Sequence, residues 1–209
     1  ARFLLAEASH AVRDLQGARK EYERAYDLGY NRDETSLRLS ELMQESGENK
    51  AFIDKFSEYQ SPNAAVQSEI LAQVGRARAT LGETEAARRD FQKALSINPN
   101  EKLAKIGLIR LQAAGGDPKG ALKAIDQIIE QSPDYALAWI GRAELMRTFS
   151  DVSGSISAME RAAQLKPTDL TLQANLASMY LNSGRPEAAD KAIEALRSDL
   201  ARVESKVDA

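Results

Sequence analysis

The single histidine, His10, is the only side chain here whose ordinary charge change falls near neutral pH, so proton-transfer chemistry would have to begin with it. A nucleophile–base triad needs that base held by a third group, and no motif frames His10 in this way. Cysteine is absent, which removes disulfides, thiolate metal sites and thiol nucleophiles. Zinc needs several His or Cys ligands at short spacing, and the chain has none. Gly115-Gly116-Asp117-Pro118-Lys119-Gly120 is rich in glycine, but it lacks the Gly-Lys-Ser/Thr ending of a phosphate loop and follows a helical pattern. It reads as a turn between helices. Carboxylates are plentiful, yet no two are set together in an apolar surrounding. The expectation is a protein that is not an enzyme and uses no metal and no cofactor.

The elements that carry these residues recur. The prolines of Asn98-Pro99-Asn100, Ser132-Pro133-Asp134 and Lys166-Pro167-Thr168 lie 34 residues apart. About midway falls a second turn signal: Gly82-Glu83, Gly116-Asp117, Ser150-Asp151 and Gly184-Arg185. Four residues past each come Ala87, Ala121, Ser155 and Ala189, then Phe91, Ile125, Met159 and Ile193 four further on. This is the i, i+4 spacing of a buried helical face, with two helices to each unit. Pro118 and Pro186 suit the first turn of a second helix. Asp117 and Asp151 are expected to cap such helices, and Asn100 and Asp134 to cap the helix that opens the next unit.

The 209 residues are 43% hydrophobic and 28% charged, a folded composition. A net charge of −3 argues against a nucleic-acid partner, which asks for a basic footprint. No apolar stretch is long enough to cross a bilayer, and the N-terminus lacks the basic-then-apolar order of a signal peptide. The chain opens in helical pattern at Ala1 without a methionine, and is expected to be a piece of a longer protein.

The 34-residue unit resembles the tetratricopeptide repeat, on Trp139 at its first aromatic position, Leu176-Ala177 and Tyr180 in the last unit, and the small residues above. Upstream, Ala6, Ala18, Tyr22 and Ala25 fit a first unit, and Leu39, Ser40, Met43, Gly47, Phe56 and Tyr59 a second, with one extra residue near Ser61-Pro62-Asn63. The resemblance implies an all-α fold, a right-handed α-solenoid of six hairpins over 1–32, 33–67, 68–101, 102–135, 136–169 and 170–198. Residues 199–209 would form a polar tail. Phe52, where a small residue is usual, is expected to loosen the second unit. Arg78 stands for the usual aromatic in the third, and Arg13-Asp14 for Gly-Asp in the first. The remaining aromatics at repeat positions, Tyr22, Phe56, Phe91, Trp139 and Tyr180, are expected to pack between helices.

In such a stack the first helix of each unit lines a concave face suited to binding. The position one past Trp139 then gives Phe3, Leu37, Ala72, Ile106, Ile140 and Ala174, and four further along come Glu7, Glu41, Arg76, Arg110, Glu144 and Ser178. The candidate partner site is thus Phe3, Glu7, Leu37, Glu41, Arg76, Ile106, Arg110, Ile140 and Glu144: an apolar line flanked by charge that changes sign. Arg76 and Arg110 could meet an acidic group. Carboxylate-clamping relatives use Lys and Asn at these positions, so that mode is disfavoured here.

Three strings are similar to a narrower group, the PrsT-like tetratricopeptide lipoproteins of PEP-CTERM sorting and exopolysaccharide systems: 1–7 (ARFLLAE), Tyr26-Asp27-Leu28-Gly29-Tyr30, and 106–111 (IGLIRL). That similarity implies a periplasmic, outer-membrane-associated parent, touching the membrane only through a lipid anchor outside this segment. The expected function is a protein–protein scaffold holding an extended peptide or helix. The alternatives are a scaffold for an acidic polysaccharide and a regulatory repeat region of a larger enzyme.

Overall fold

A computed structural model describes residues 1–194 and 197, and the tail expected at 199–209 lies outside them. Its helices are α1 (Arg2–Ala11), α2 (Leu15–Asp27), α3 (Arg32–Glu45), α4 (Asn49–Phe56), α5 (Ala64–Thr80), α6 (Thr84–Ile97), α7 (Lys102–Ala114), α8 (Pro118–Gln131), α9 (Ala136–Thr148), α10 (Val152–Leu165) and α11 (Leu170–Asn182). A twelfth helical segment occupies 186–194, and no strand is present among the described residues. Contacts divide the chain into two units, Ala1–Leu108 and Ile109–Ala209.

The turn inside each hairpin is built the same way. The residue after the first helix closes it, the next takes a left-handed conformation, and the one after caps the second helix. Gly47, Gly82, Gly116 and Gly184 hold the left-handed place at φ of 71–101°, while Arg13 (φ 59°) and Ser150 (φ 57°) adopt it with a side chain attached. Asp14, Asp117 and Asp151 accept from the backbone N–H three residues on, at 2.8–2.9 Å, and that residue is each time a glycine: Gly17, Gly120 and Gly154. A Cβ there would sit 2.0–2.3 Å from the capping carboxylate. Asp-x-x-Gly is therefore one device, in which the small third residue makes room for the cap. Glu48 and Glu83 occupy the capping place without making the bond. Asn100 and Asp134 do not cap as expected. Glu101 Oε1 accepts from Leu103 N at 3.2 Å instead, and Tyr135 precedes α9 with no side-chain cap.

Unit 1 has an aromatic core. Tyr22, Phe52 and Phe56 have no exposed surface, and Phe52 lies 5.0 Å from Phe56, which meets Tyr26 and Tyr59 edge-on at 6.1 and 6.0 Å. The looseness expected at Phe52 is not found in its burial; the helix that carries it is cut to eight residues. The extra residue near Ser61 is knit in by side chains. Asp33 accepts from Tyr59 Oη at 2.6 Å and from Ser61 Oγ at 2.8 Å, while Gln67 donates to Tyr59 O and accepts from Ser61 N. Phe91 is wedged against Gly75 and Gly107, where a Cβ would meet its ring at 2.8 and 2.2 Å. Arg78, in place of an aromatic, pairs with Asp90 at 2.6 Å.

On α1, Leu5 is 49% exposed, whereas Leu39 and Val74, at the matching place in the next two hairpins, have no exposure. Those two first helices each pack on a preceding second helix, α2 on α3 and α4 on α5. Unit 2 is aliphatic. Ala143, Ile156, Ala158, Met159, Ala162, Leu172 and Leu176 form its core, with Trp139 and Tyr180 at the margin. Their polar ends are satisfied: Trp139 Nε1 donates to Pro133 O at 2.9 Å and Tyr180 Oη to Glu160 at 2.7 Å.

Candidate partner groove

A groove on the predicted face lies in unit 2, between α9 and α11 with α10 as its floor, and encloses about 620 Å³. Its walls follow from helical spacing. Ile140, Glu144 and Arg147 stand at i, i+4 and i+7 on α9, and Thr171, Asn175, Ser178 and Asn182 at i, i+4, i+7 and i+11 on α11. Ile156 and Met159 of α10, with Leu172 and Met179 of α11, make the base apolar. Ser155 turns its hydroxyl inward and donates to Ala143 O at 2.8 Å, tying α10 to α9.

Some of the polar groups on this wall are committed and others are not. Glu144 is held by Arg110 from one repeat earlier: Nη2 donates to Oε1 at 3.1 Å, and Nε lies 2.9 Å from Oε2 without the alignment of a hydrogen bond. Asp169 Oδ1 caps α11 by accepting from Leu172 N at 3.0 Å. Arg147, Asn175, Ser178 and Asn182 make no side-chain bond among the described residues. A guanidinium and two amides therefore face a Met- and Ile-lined base with their hydrogen-bonding capacity open.

Of the residues expected on this face, the structure brings Ile140, Glu144 and Ser178 into the groove, with Arg110 behind Glu144. Ile106 and Ala72 have no exposed surface and Phe3 is buried against Tyr22 and Tyr30 at ring distances of 5.6 and 5.4 Å, so none of the three can line a binding face. Leu37 is half-buried against the unit 1 core. Glu7 and Glu41 are bridged by Arg38, which lies 3.4 Å from one and 3.2 Å from the other, and Tyr22 Oη also donates to Glu7. Arg76 is half-buried in α5 and has an interaction of its own. The acid-binding role considered for Arg110 is filled internally by Glu144.

The inner polar groups of unit 1 are thus spent on one another. Gln44 donates to Gln73, and His10 Nε2 lies 3.2 Å from Glu45. Burial and the neighbouring Asp33 push Tyr59 up to about 12, and burial with Glu160 does the same to Tyr180, so both phenols remain donors at neutral pH. Among the described residues no three His, Asp or Glu side chains gather as a metal site, and no helix is long and apolar enough to cross a membrane. Asn175, Asn182 and Arg147 were missed by sequence reasoning because it followed two register positions on each first helix, those of Ile140 and Glu144. Arg147 lies seven past Ile140 on the same stripe, whereas Asn175 and Asn182 lie one and eight past Ala174, on the neighbouring stripe.

A family model described as tetratricopeptide repeat matches residues 79–145. No curated protein matches the chain. Among solved structures, the Cut9 and Hcn1 hetero-tetramer of the APC/C matches with a TM-score of 0.66 at 14% identity, covering 95% of this chain and 39% of that one. A double mutant of MamA from Desulfovibrio magneticus RS-1 matches with 0.51 at 17% identity, covering 93% of this chain and 97% of that one. At such identities the likeness speaks for the fold. Residues 79–145 thus match the tetratricopeptide repeat, and the chain has an all-α helical-repeat fold.

Proposed function

We propose that the chain is a protein–protein interaction scaffold whose unit 2 groove holds an extended or helical segment of a partner. The carrying observation is the groove between α9 and α11, where an apolar base lies beneath uncommitted Asn175, Ser178, Asn182 and Arg147. Side-chain amides spaced two turns apart, Asn175 and Asn182, suit a peptide backbone, whose N–H and C=O recur along the segment. The Met159 and Met179 thioethers suit apolar side chains of varied shape. Cut9, with which the fold is shared, is itself held in a hetero-tetramer with Hcn1. That parallel is one of fold and adds support at that level only.

The test is selection of binding peptides from a displayed random library on the whole chain. Ile140→Asp combined with Asn175→Ala should abolish capture of the selected peptides while leaving helical circular dichroism unchanged. Selected peptides that bind this variant as well as the wild type would refute the groove.

The setting we propose, from the three strings similar to PrsT-like lipoproteins, is a periplasmic, outer-membrane-associated complex of exopolysaccharide export or PEP-CTERM sorting. Fractionation of the native cell with an antibody to residues 79–145 tests it. Recovery in the cytoplasm would overturn it.

A further inference from the structure

A second concavity opens in unit 2 away from the groove, between α8 and the end of α9, and encloses about 640 Å³. Leu122, Met146 and Phe149 make it largely apolar, and Lys119 and Lys123 stand one turn apart on its rim. Phe149 is the informative residue. It follows the first helix of its hairpin, and the two matching positions elsewhere in the unit are Gly115 and Ser183. The turn therefore works without an aromatic ring, yet here an exposed one borders a cavity.

The charges on this rim are set apart along it. Asp126 is paired with Arg142 at 2.8 Å, and Asp151 caps α10 by accepting from Gly154 N at 2.8 Å while keeping its charge. Neither Lys119 nor Lys123 has a carboxylate within pairing distance among the described residues. Glu130 lies eleven residues from Lys119 along α8, about 16 Å at the helical rise. Along α8 the cavity thus carries a lysine pair at one end and Glu130 at the other, with Leu122, Met146 and Phe149 as its apolar lining. Its volume lies in the range of about 300–1,000 Å³ usual for ligand pockets.

We propose that this cavity docks an acidic peptide segment: carboxylates on Lys119 and Lys123, and a large apolar side chain against Phe149, Leu122 and Met146. The polarity sets the direction, with the acidic end of the segment away from Glu130. Because α9 supplies Ile140, Glu144 and Arg147 to the groove but Met146 and Phe149 to this cavity, one helix serves two docking surfaces, and unit 2 can hold two partners at once.

The experiment is fluorescence anisotropy of a labelled synthetic peptide, two aspartates followed by Leu-Phe and an amide end, titrated with the whole chain. Saturable binding is expected, weakened at least about tenfold in Lys119→Glu/Lys123→Glu and in Phe149→Ala, and reduced by salt as a charge contact must be. The groove variant Ile140→Asp/Asn175→Ala should bind this peptide as the wild type does, which separates this proposal from the groove reading. Equal binding by the lysine variant, or by a peptide with Asn for Asp, would overturn it. So would dissociation of a wild-type dimer by the lysine variant, which would make the cavity a contact between copies, or binding of a uronate oligosaccharide in place of the peptide.

Discussion

The two units use the same hairpin for opposite ends. In unit 1 the polar side chains of the first helices bridge one another: Arg38 holds Glu7 and Glu41, Gln44 meets Gln73, and Asp33 gathers Tyr59 and Ser61 over buried aromatic rings. In unit 2 the matching surface leaves Asn175, Ser178, Asn182 and Arg147 open above an aliphatic base. A satisfied polar network stiffens a face and removes its binding capacity, whereas an open one retains both capacity and freedom. Binding capacity is therefore decided by which side chains are already partnered, not by where the helices run.

The largest contrast should appear in stability. Phe56→Ala removes a ring with no exposed surface and is expected to cost about 3–5 kcal/mol. Met179→Ala, in the base of the groove, should cost a small fraction of that, because the side chain is only partly buried. Urea unfolding of both variants checks this. Similar losses would mean that the groove base is structural.

In binding, Asn175→Ala should weaken a groove peptide by about tenfold, the loss expected for one or two buried hydrogen bonds. Glu41→Gln, which touches a bridged face, should leave its affinity unchanged. Titration of a selected peptide against both variants decides the point.

The turns sharpen the comparison at smaller scale. Asp151→Ala removes a formed cap and should cost about 1 kcal/mol, while Glu83→Ala removes none and should be close to neutral. Ser150→Gly and Arg13→Gly should each stabilise by about 1 kcal/mol, since each relieves a side chain of the left-handed conformation. Thermal unfolding resolves all four. A loss of stability in Ser150→Gly would show that its side chain has a packing role.

Much of the fold could be read in advance, because 34-residue proline spacing and small residues at i and i+4 fix where paired helices turn and touch. Asp117 and Asp151 were identified as caps from their place after a turn. The Gly that accompanies each cap was not, since its reason is the space a carboxylate needs. The candidate site was legible only in part. Ile106 and Ile140 hold the same register position, yet one is fully buried and the other half-exposed. Periodicity assigns a residue to a face of its own helix; what neighbouring helices lay over that face depends on side chains many residues away. Arg110 reads as a free cation until Glu144, one repeat on, is brought against it.

The smallest expected effect concerns Glu69, on the tied-up side of the comparison. Burial raises its carboxyl above the usual range, and Glu101 and Glu41 add to this while Gln73 opposes it. A carboxyl raised in the folded state disfavours folding when it is charged. The penalty is therefore fully present above the folded value, and it vanishes as pH falls below the unfolded value near about 4.3. Glu69→Gln should raise Tm at neutral pH by roughly one to two degrees and by nothing near pH 4. Because burial outweighs the repulsion of Glu101 and Glu41, most of that gain should survive high salt, which screens exposed charges but restores no water to a half-buried one. A gain that disappears in salt would reassign the cause to repulsion, and would mean that the inner face of unit 1 is more open than its bridging side chains make it.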